Sequence, residues 1–218
     1  MPETLPPSFL FDLLFDVPAL ALWPEKVELE AWETLAPLPP VQQLDERKPP
    51  IEVRLGWHAD GLLVAADVRG KSVPPKAEPL HTEGDDCIVV GLDTRNTKSI
   101  SRANQFCHRF HFTPADELSE LDPDIEATLL PRATADAPIV SFSRDDVAAA
   151  LYDDGYRIVA RLRAEALNGY DPSFSDRLGF HVEVADREWG NIPLWGDARL
   201  AGGANPAQWA TLRLQPAS

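Results

Sequence analysis

The sequence lacks the common motifs from which catalytic or metal-binding residues are recognised. Of its 218 residues only two are cysteine and one is methionine. No C-x-x-C spacing occurs, so a zinc ribbon is excluded. A nucleophile elbow, a P-loop, a His-Glu-x-x-His helix and a glycine-rich dinucleotide signature are also missing. We therefore predict no catalytic residues from motifs.

Long hydrophobic runs are missing as well. No apolar segment approaches the ~20 residues that cross a bilayer. No basic residue precedes the apolar stretch Phe9–Val17, and Asp12 and Asp16 interrupt that stretch. A signal peptide needs a positive start and an unbroken apolar region. We expect neither a signal peptide nor a membrane segment, which makes the chain as given cytoplasmic unless an export signal has been removed.

Positive charge is scarce. The formal net charge is −15, from 35 acidic and 20 basic residues. Because this surface repels phosphate backbones and anionic headgroups, nucleic acid and membranes are excluded as partners. Simple solubility explains the acidity. The alternative is that some carboxylates bind calcium, a hard cation that prefers oxygen ligands.

What the chain does contain is a series of short alternating segments. Clusters among the 21 prolines mark loops and sheet edges between them, and Asp60-Gly61 predicts a hairpin. Helical signal is weak, with short helices only at 145–151 and 164–167. The pattern predicts an all-β, antiparallel β-sandwich of jelly-roll or immunoglobulin-like type. The predicted strands are 26–33, 51–57, 61–69, 87–93, 105–112, 156–162, 179–184 and 211–214, and 71–84 and 113–138 are long excursions.

The two cysteines, Cys87 and Cys107, both fall in predicted strands. They are interpreted as small buried hydrophobic residues. A disulfide between neighbouring strands is the alternative, because sequence does not give the geometry that a disulfide requires.

One predicted strand carries a row of polar side chains. Alternation places Gln105, Cys107, Arg109 and His111 on one face, opposite the phenylalanines. This row is either a solvated face or a platform for a ligand, and the two interpretations are equally supported.

Two tryptophans, Trp189 and Trp195, flank a loop containing Pro193. An indole on a loop can stack on the apolar face of a sugar, or it can pin the loop to the core. Pinning is the favoured interpretation for either ring taken alone. His81 lies in a different predicted loop, where exposure to solvent is the default interpretation.

The order of these segments resembles a carbohydrate-binding module of family 9, within the DOMON-like β-sandwich group. The likeness covers roughly residues 22–214. The segments that carry it begin with Glu30-Ala31-Trp32, the hairpin Val53–Val68 and the strand Asp86–Asp93, which begins and ends with aspartate. They continue with Gln105–Phe110, Gly155–Leu162, Gly179–Asp186 and Pro206–Leu214. The implied domain division is an N-terminal extension at 1–21, a sandwich at 22–214 and a tail at 215–218.

The resemblance implies that a sugar is held between two tryptophans, with polar side chains on its hydroxyls. Trp195 matches one tryptophan, and Gln105 and Arg109 resemble the polar pair. Where the second tryptophan is expected, His81 is the only aromatic residue. The predicted ligand-binding residues are therefore Trp195, Gln105, Arg109, His111, His81 and Trp189.

The function that the resemblance implies is non-catalytic. Such a module binds a glycan or sugar end on one sheet face and assists polysaccharide degradation. One alternative is a sandwich that keeps only the fold and binds a non-sugar ligand or a protein. A glycoside hydrolase that uses a carboxylate pair is the third and least favoured hypothesis. No cofactor is predicted with certainty, and calcium remains the one candidate metal.

Overall fold

The computed structural model describes residues 12–39, 50–76, 86–115, 121–195 and 205–216, and it confirms the all-β sandwich. Within these ranges, twelve strands form two sheets, joined by 3-10 turns and loops. The strands are β1 Leu14–Pro18, β2 Ala36–Pro37, β3 Ile51–His58, β4 Gly61–Val68, β5 Cys87–Asp93, β6 Cys107–Thr113, β7 Asp124–Thr128, β8 Val147–Tyr152, β9 Gly155–Arg163, β10 Arg177–Asp186, β11 Gly190–Pro193 and β12 Ala210–Gln215.

The larger sheet has seven strands in the order β1-β12-β10-β5-β6-β7, with β11 also paired to β10. The smaller sheet has the order β2-β3-β4-β9-β8. Neighbouring strands are antiparallel throughout, except that β1 runs parallel to β12. The hairpin predicted at Asp60-Gly61 joins β3 to β4, with Gly61 at φ 142°.

The main core lies between the sheets and follows from strand alternation. Even-numbered residues of the central strands point inward, including Val90, Phe110, Phe180 and Val182, all at most 1% exposed. Since successive side chains in a strand face opposite ways, the odd-numbered residues of these strands face outward. The polar residues Arg109 and His111 are therefore on the outer face of the larger sheet.

The predicted N-terminal boundary at residue 22 is wrong, because β1 is a strand of the larger sheet. Phe15 and Val17 are buried in the main core, and the alternate residue Asp16 faces solvent. Asp16 accepts a 2.6 Å hydrogen bond from Arg213 Nε on β12. The aspartates of this segment are thus the outward half of an alternating strand rather than interruptions of an apolar run.

The predicted strand at 26–33 is also wrong. Leu29–Thr34 is a 3-10 helix, and it places Trp32 against the outer face of the smaller sheet. There Trp32 forms a second apolar cluster with Leu63, Ala65 and Val159. Alternation alone cannot distinguish a strand from a short segment that covers a sheet.

Besides β1, the predicted strands omit β2, β7 and β11, and one segment was misassigned. Strand β7 lies inside the proposed excursion at 113–138, and β11 lies in the loop between Trp189 and Trp195. The predicted helix at 145–151 is mostly β8, preceded by a 3-10 turn. The short helix predicted at 164–167 is confirmed as the 3-10 turn Ala164–Ala166. The excursion at 71–84 lies partly outside the described residues.

Cys87 and Cys107 are buried and are not joined in a disulfide, as the favoured interpretation predicted. In the described ranges, no helix has the length and apolar character needed to cross a membrane.

Candidate functional site

The outer face of the larger sheet carries a row of polar side chains across four strands. The strand register places Thr128 of β7 opposite Arg109 of β6, Arg109 opposite Gly91 of β5, and Gly91 opposite His181 of β10. We call Thr128, Arg109 and His181, with Gly91 between the last two, the Arg109 row. Directly opposite residues in a sheet lie close enough for their side chains to act on the same ligand.

Three buried atoms of the Arg109 row have no hydrogen-bond partner among the described residues. They are Thr128 Oγ1, Arg109 Nε and His181 Nε2. His181 Nε2 lies 3.9 Å from Glu183 Oε2, which is too long for a hydrogen bond. A buried polar atom without a partner costs about 1–3 kcal/mol. Three such atoms in one row are therefore a concentration of unmet hydrogen-bonding capacity.

Arg109 differs from the other partly buried arginines in the described ranges. Arg54, Arg157 and Arg163 each lie within 4.0 Å of a carboxylate. Arg109 is also partly buried, but it has no ion pair with any described residue. Its Nε therefore lacks an acceptor among the described residues.

The neighbouring row adds acceptors to these donors. Register places Glu126 opposite His111, His111 opposite Val89, and Val89 opposite Glu183. Glu183 is only 5% exposed on this face. His111 Nδ1 lies 3.9 Å from Cys87 Sγ, so this face contains a contact between a histidine and a thiol that are far apart in the sequence. The two rows together place the Arg109 guanidinium and the carboxyl groups of Glu126 and Glu183 within one patch.

The Trp209 ring packs on Gly91, between Arg109 and His181 in the Arg109 row. A Cβ at Gly91 would lie 3.0 Å from two carbons of the Trp209 ring, so glycine is required for this close approach. The Trp209 ring stacks on His181 at a centroid distance of 6.2 Å and an angle of 18°. Trp209 also packs with Ala103, Cys107 and Leu130 in a third apolar cluster. Trp209 thus holds the His181 ring in place.

Trp195 is part of the main core. It is 6% exposed, and the rings of Phe15 and Phe180 lie 5.1 and 6.0 Å from its centroid. Its indole Nε1 donates to the carbonyl of Pro39 at 3.3 Å. In this arrangement the ring pins the chain to the core. The stacking role that the resemblance implied for Trp195 stays a prediction.

Trp189 is half-buried in the turn between β10 and β11. Its backbone N–H donates to Asp186 Oδ1 at 3.0 Å, and the Lys71 ammonium lies 5.0 Å from its ring centroid. Lys71 also bridges the carboxylates of Asp86 and Asp186, and all three of these side chains are fully buried. Burial raises the pKa of Asp86, while the hydrogen bond from Lys71 opposes the shift. Trp189 therefore covers a buried charge cluster.

The buried cluster of Lys71, Asp86 and Asp186 is relevant to the prediction that some carboxylates bind calcium. Its two carboxylates are fully buried, and the single Lys71 ammonium that lies between them can compensate one of their two charges. No group of three His, Cys, Asp or Glu side chains in the described ranges is placed to hold a metal ion. Calcium binding stays a prediction.

Gln105 does not belong to β6, which begins at Cys107. It lies in the preceding turn with an exposed side chain, and its carbonyl accepts a 2.9 Å hydrogen bond from Asn168 Nδ2. His81 lies outside the described residues. Of the six predicted ligand-binding residues, the structure thus brings Arg109 and His111 together, on adjacent rows of one face.

Thr128, His181 and Glu183 were not predicted as site residues. The alternation of buried residues in β10 could have placed His181 and Glu183 outward beside each other. Their position next to Arg109 depends on strand register, which no local pattern in the sequence gives.

Comparisons with known proteins agree on the fold. No family model matches the sequence, and no curated protein matches it. A carbohydrate-binding module of family 9 from Caldicellulosiruptor kristjanssonii, solved with cellotriose, is 16% identical with a TM-score of 0.63. That match covers 94% of this chain and 95% of the module. Its glucose complex gives a TM-score of 0.62, 16% identity, and coverage of 94% of this chain and 97% of the module.

A protein from Bacteroides uniformis ATCC 8492, proposed to bind carbohydrate, is 13% identical with a TM-score of 0.56. That match covers 93% of this chain and 99% of the other. The chain therefore has the β-sandwich fold of family 9 carbohydrate-binding modules, and the resemblance drawn from its sequence is confirmed at the level of fold.

Proposed function

We propose that this chain is a non-catalytic carbohydrate-binding domain that holds a sugar on the outer face of the larger sheet. The observation that carries the proposal is the Arg109 row, with its three buried polar atoms that lack partners among the described residues. Sugar oxygens and hydroxyl hydrogens would supply those partners. Arg109, Thr128 and His181 each remain partly exposed, so their side chains reach the surface of the patch.

A sugar suits the chemistry of this face because each hydroxyl both donates and accepts hydrogen bonds. The Arg109 guanidinium can only donate, whereas the oxygens of the Glu183 side chain supply acceptors. A ligand that pairs with both must offer both functions, and a pyranose does so at every hydroxyl. The solved structures of similar fold include complexes with glucose and cellotriose, which supports the same class of ligand.

In this proposal the domain assists polysaccharide degradation by attaching to a glycan, and it performs no chemistry itself. The site residues are Arg109, Thr128 and His181, with His111 and Glu183 in the adjacent row. Trp209 positions His181 and is not itself stacked on the sugar, because it is only 4% exposed.

The second candidate is a sandwich that binds a non-sugar ligand or a protein through the same face. One observation favours it: Trp195 packs in the core, and no other tryptophan of the described ranges presents an open ring beside the Arg109 row. A polar patch without a stacking ring fits a small polar ligand as well as a sugar.

Isothermal titration calorimetry separates these candidates. The purified chain is titrated with glucose, cellotriose and a panel of soluble polysaccharides. We expect measurable heat with at least one of these sugars. If none gives heat at millimolar concentration while the protein remains folded by circular dichroism, the carbohydrate proposal is wrong and the second candidate stands.

A further inference from the structure

Phe174 is an exposed aromatic residue at one end of the sandwich. It is 76% exposed, and it is the one aromatic residue among the large hydrophobic side chains that the described ranges leave exposed. An aromatic ring left in water gives up the stabilisation that burial would provide. A ligand that covers the Phe174 ring would restore that stabilisation.

The turn that presents Phe174 is held firmly. The carbonyl of Asp171 accepts hydrogen bonds from the backbone N–H groups of Phe174 at 3.1 Å and Ser175 at 3.0 Å. Asp171 Oδ1 accepts from the backbone N–H of Ser173 at 3.0 Å and from its hydroxyl at 2.6 Å. These bonds, chiefly those from Ser173, lower the pKa of Asp171, so it is ionised at neutral pH. The ring is thus presented on a preorganised loop.

Arg95 lies between Phe174 and a second ring. Its guanidinium carbon is 5.3 Å from the Phe174 centroid and 4.9 Å from the Phe106 centroid. The carbonyl of Phe106 accepts a 3.0 Å hydrogen bond from the backbone N–H of Thr94. A Cβ at Gly169 would lie 2.7 Å from a Phe106 ring carbon, so the glycine permits close packing. Phe106 is therefore held in place, Arg95 packs on it, and Phe174 packs on Arg95.

We call Phe174, Arg95 and Phe106, with the exposed Gln105 beside them, the Phe174 ledge. It is separate from the Arg109 row, because the Trp209 cluster packs over Cys107, which lies between Gln105 and Arg109 on the chain. The ledge offers an open aromatic ring, a cation and the ionised carboxylate of Asp171 on one rigid surface.

We infer that the Phe174 ledge is a second contact surface for a glycan chain, an inference that rests on the proposed function. The Phe174 ring takes the apolar C–H face of a pyranose, as aromatic rings with polar neighbours can. Arg95, Asp171 and Gln105 pair with its hydroxyls. Because the loop is already ordered, binding there costs little conformational entropy.

A second contact surface affects polymers more than single sugars. When one chain engages two surfaces, the second contact becomes intramolecular and overall binding strengthens without a change at the first site. Loss of the ledge should therefore weaken binding to a polysaccharide and leave binding of glucose unchanged.

The test compares Phe174→Ala with Leu22→Ala. Leu22 is 83% exposed and serves as a matched truncation of an exposed hydrophobic side chain. Electrophoretic retardation is measured in gels containing hydroxyethylcellulose, xylan or laminarin, and glucose binding is measured by calorimetry. We expect Phe174→Ala to lose at least threefold in polysaccharide affinity, with unchanged glucose affinity, and Leu22→Ala to match the wild type in both.

Two results would overturn the inference alone: Phe174→Ala retarded like the wild type, or a wild type that binds glucose and no polysaccharide. A wild type that binds neither glucose nor any polysaccharide removes the proposed function and the ledge with it.

Discussion

Arg109 and His181 lie on either side of Gly91 in one row of the larger sheet, and neither Arg109 Nε nor His181 Nε2 has a hydrogen-bond partner among the described residues. Buried donors and acceptors in folded proteins are nearly always paired. A cation and an imidazole left unpaired on the same face therefore mark a place where the fold retains binding capacity at a cost in stability.

Gly91→Ala is expected to disturb this site through Trp209. The new methyl would lie 3.0 Å from two ring carbons of Trp209 and 3.3 Å from the Cβ of His181. Overpacking of this kind costs about 1–3 kcal/mol. We expect urea denaturation to show a loss of stability in that range, and we expect the variant to bind sugar with lower affinity than the wild type. A stability within error of the wild type would show that the Trp209 ring is not packed there.

Trp195→Ala is expected to destabilise the fold strongly. Large-to-small substitutions of a buried tryptophan cost about 3–5 kcal/mol, and Trp195 packs on Phe15 and Phe180 in the core. Trp195→Phe keeps part of the ring and should cost clearly less. Chemical denaturation measures both variants. A loss below about 0.5 kcal/mol for Trp195→Ala, the range usual for surface changes, would show that the ring is not a core element.

Lys71→Met is expected to leave Asp86 and Asp186 buried without their cation. Breaking a buried ion pair from one side costs about 3–5 kcal/mol. The exposed Lys26→Met provides the control for loss of charge. Since unpaired buried carboxylates favour their protonated form, the deficit of Lys71→Met should be smaller at pH 4 than at pH 7. A deficit equal to that of Lys26→Met at both pH values would contradict the buried cluster.

His108 is expected to make the fold sensitive to mild acid. Burial lowers the pKa of His108 to about 4, from an ordinary value near 6.5. Between these values the unfolded chain binds a proton that the folded chain does not, so stability falls as pH drops from 6.5 towards 4. The shift corresponds to a loss of about 3 kcal/mol at most.

His108→Phe removes the titrating group and preserves a ring that can stack on Phe110. Urea denaturation of both proteins from pH 7 to pH 4 isolates the histidine contribution. The wild type should lose more stability than the variant across this interval, and parallel curves would exclude a depressed pKa at His108.

Sequence patterns predicted the parts of this molecule that local chemistry controls. Alternation located β3, turn signals located β4 and β9, and a nearly continuous apolar run located β5, because all four strands bury many apolar side chains. It missed β7, an edge strand in which Asp124 and Glu126 are exposed and only Ile125 is fully buried. Edge strands bury little, so their hydrophobic signal is weak.

The candidate site was predicted only in part, because local sequence patterns do not give the register between strands. Period-two alternation placed Arg109 and His111 on one face, and the structure agrees. Thr128 and His181 join Arg109 only through cross-strand register, which depends on tertiary packing and not on spacing along the chain. For Trp195 the sequence allowed both stacking and pinning, and only the positions of Phe15 and Phe180 show that the ring is packed in the core.

The most direct test of the carbohydrate proposal is the affinity of Arg109→Gln for glucose or cellotriose, measured by calorimetry against Arg177→Gln. Arg177 is an exposed arginine of the same sheet, at the start of β10, so the control removes the same charge away from the row. We predict that Arg109→Gln loses at least tenfold in sugar affinity while remaining folded, and that Arg177→Gln binds like the wild type. Equal affinity of Arg109→Gln and the wild type for a sugar that binds would contradict the assignment of this face as the site.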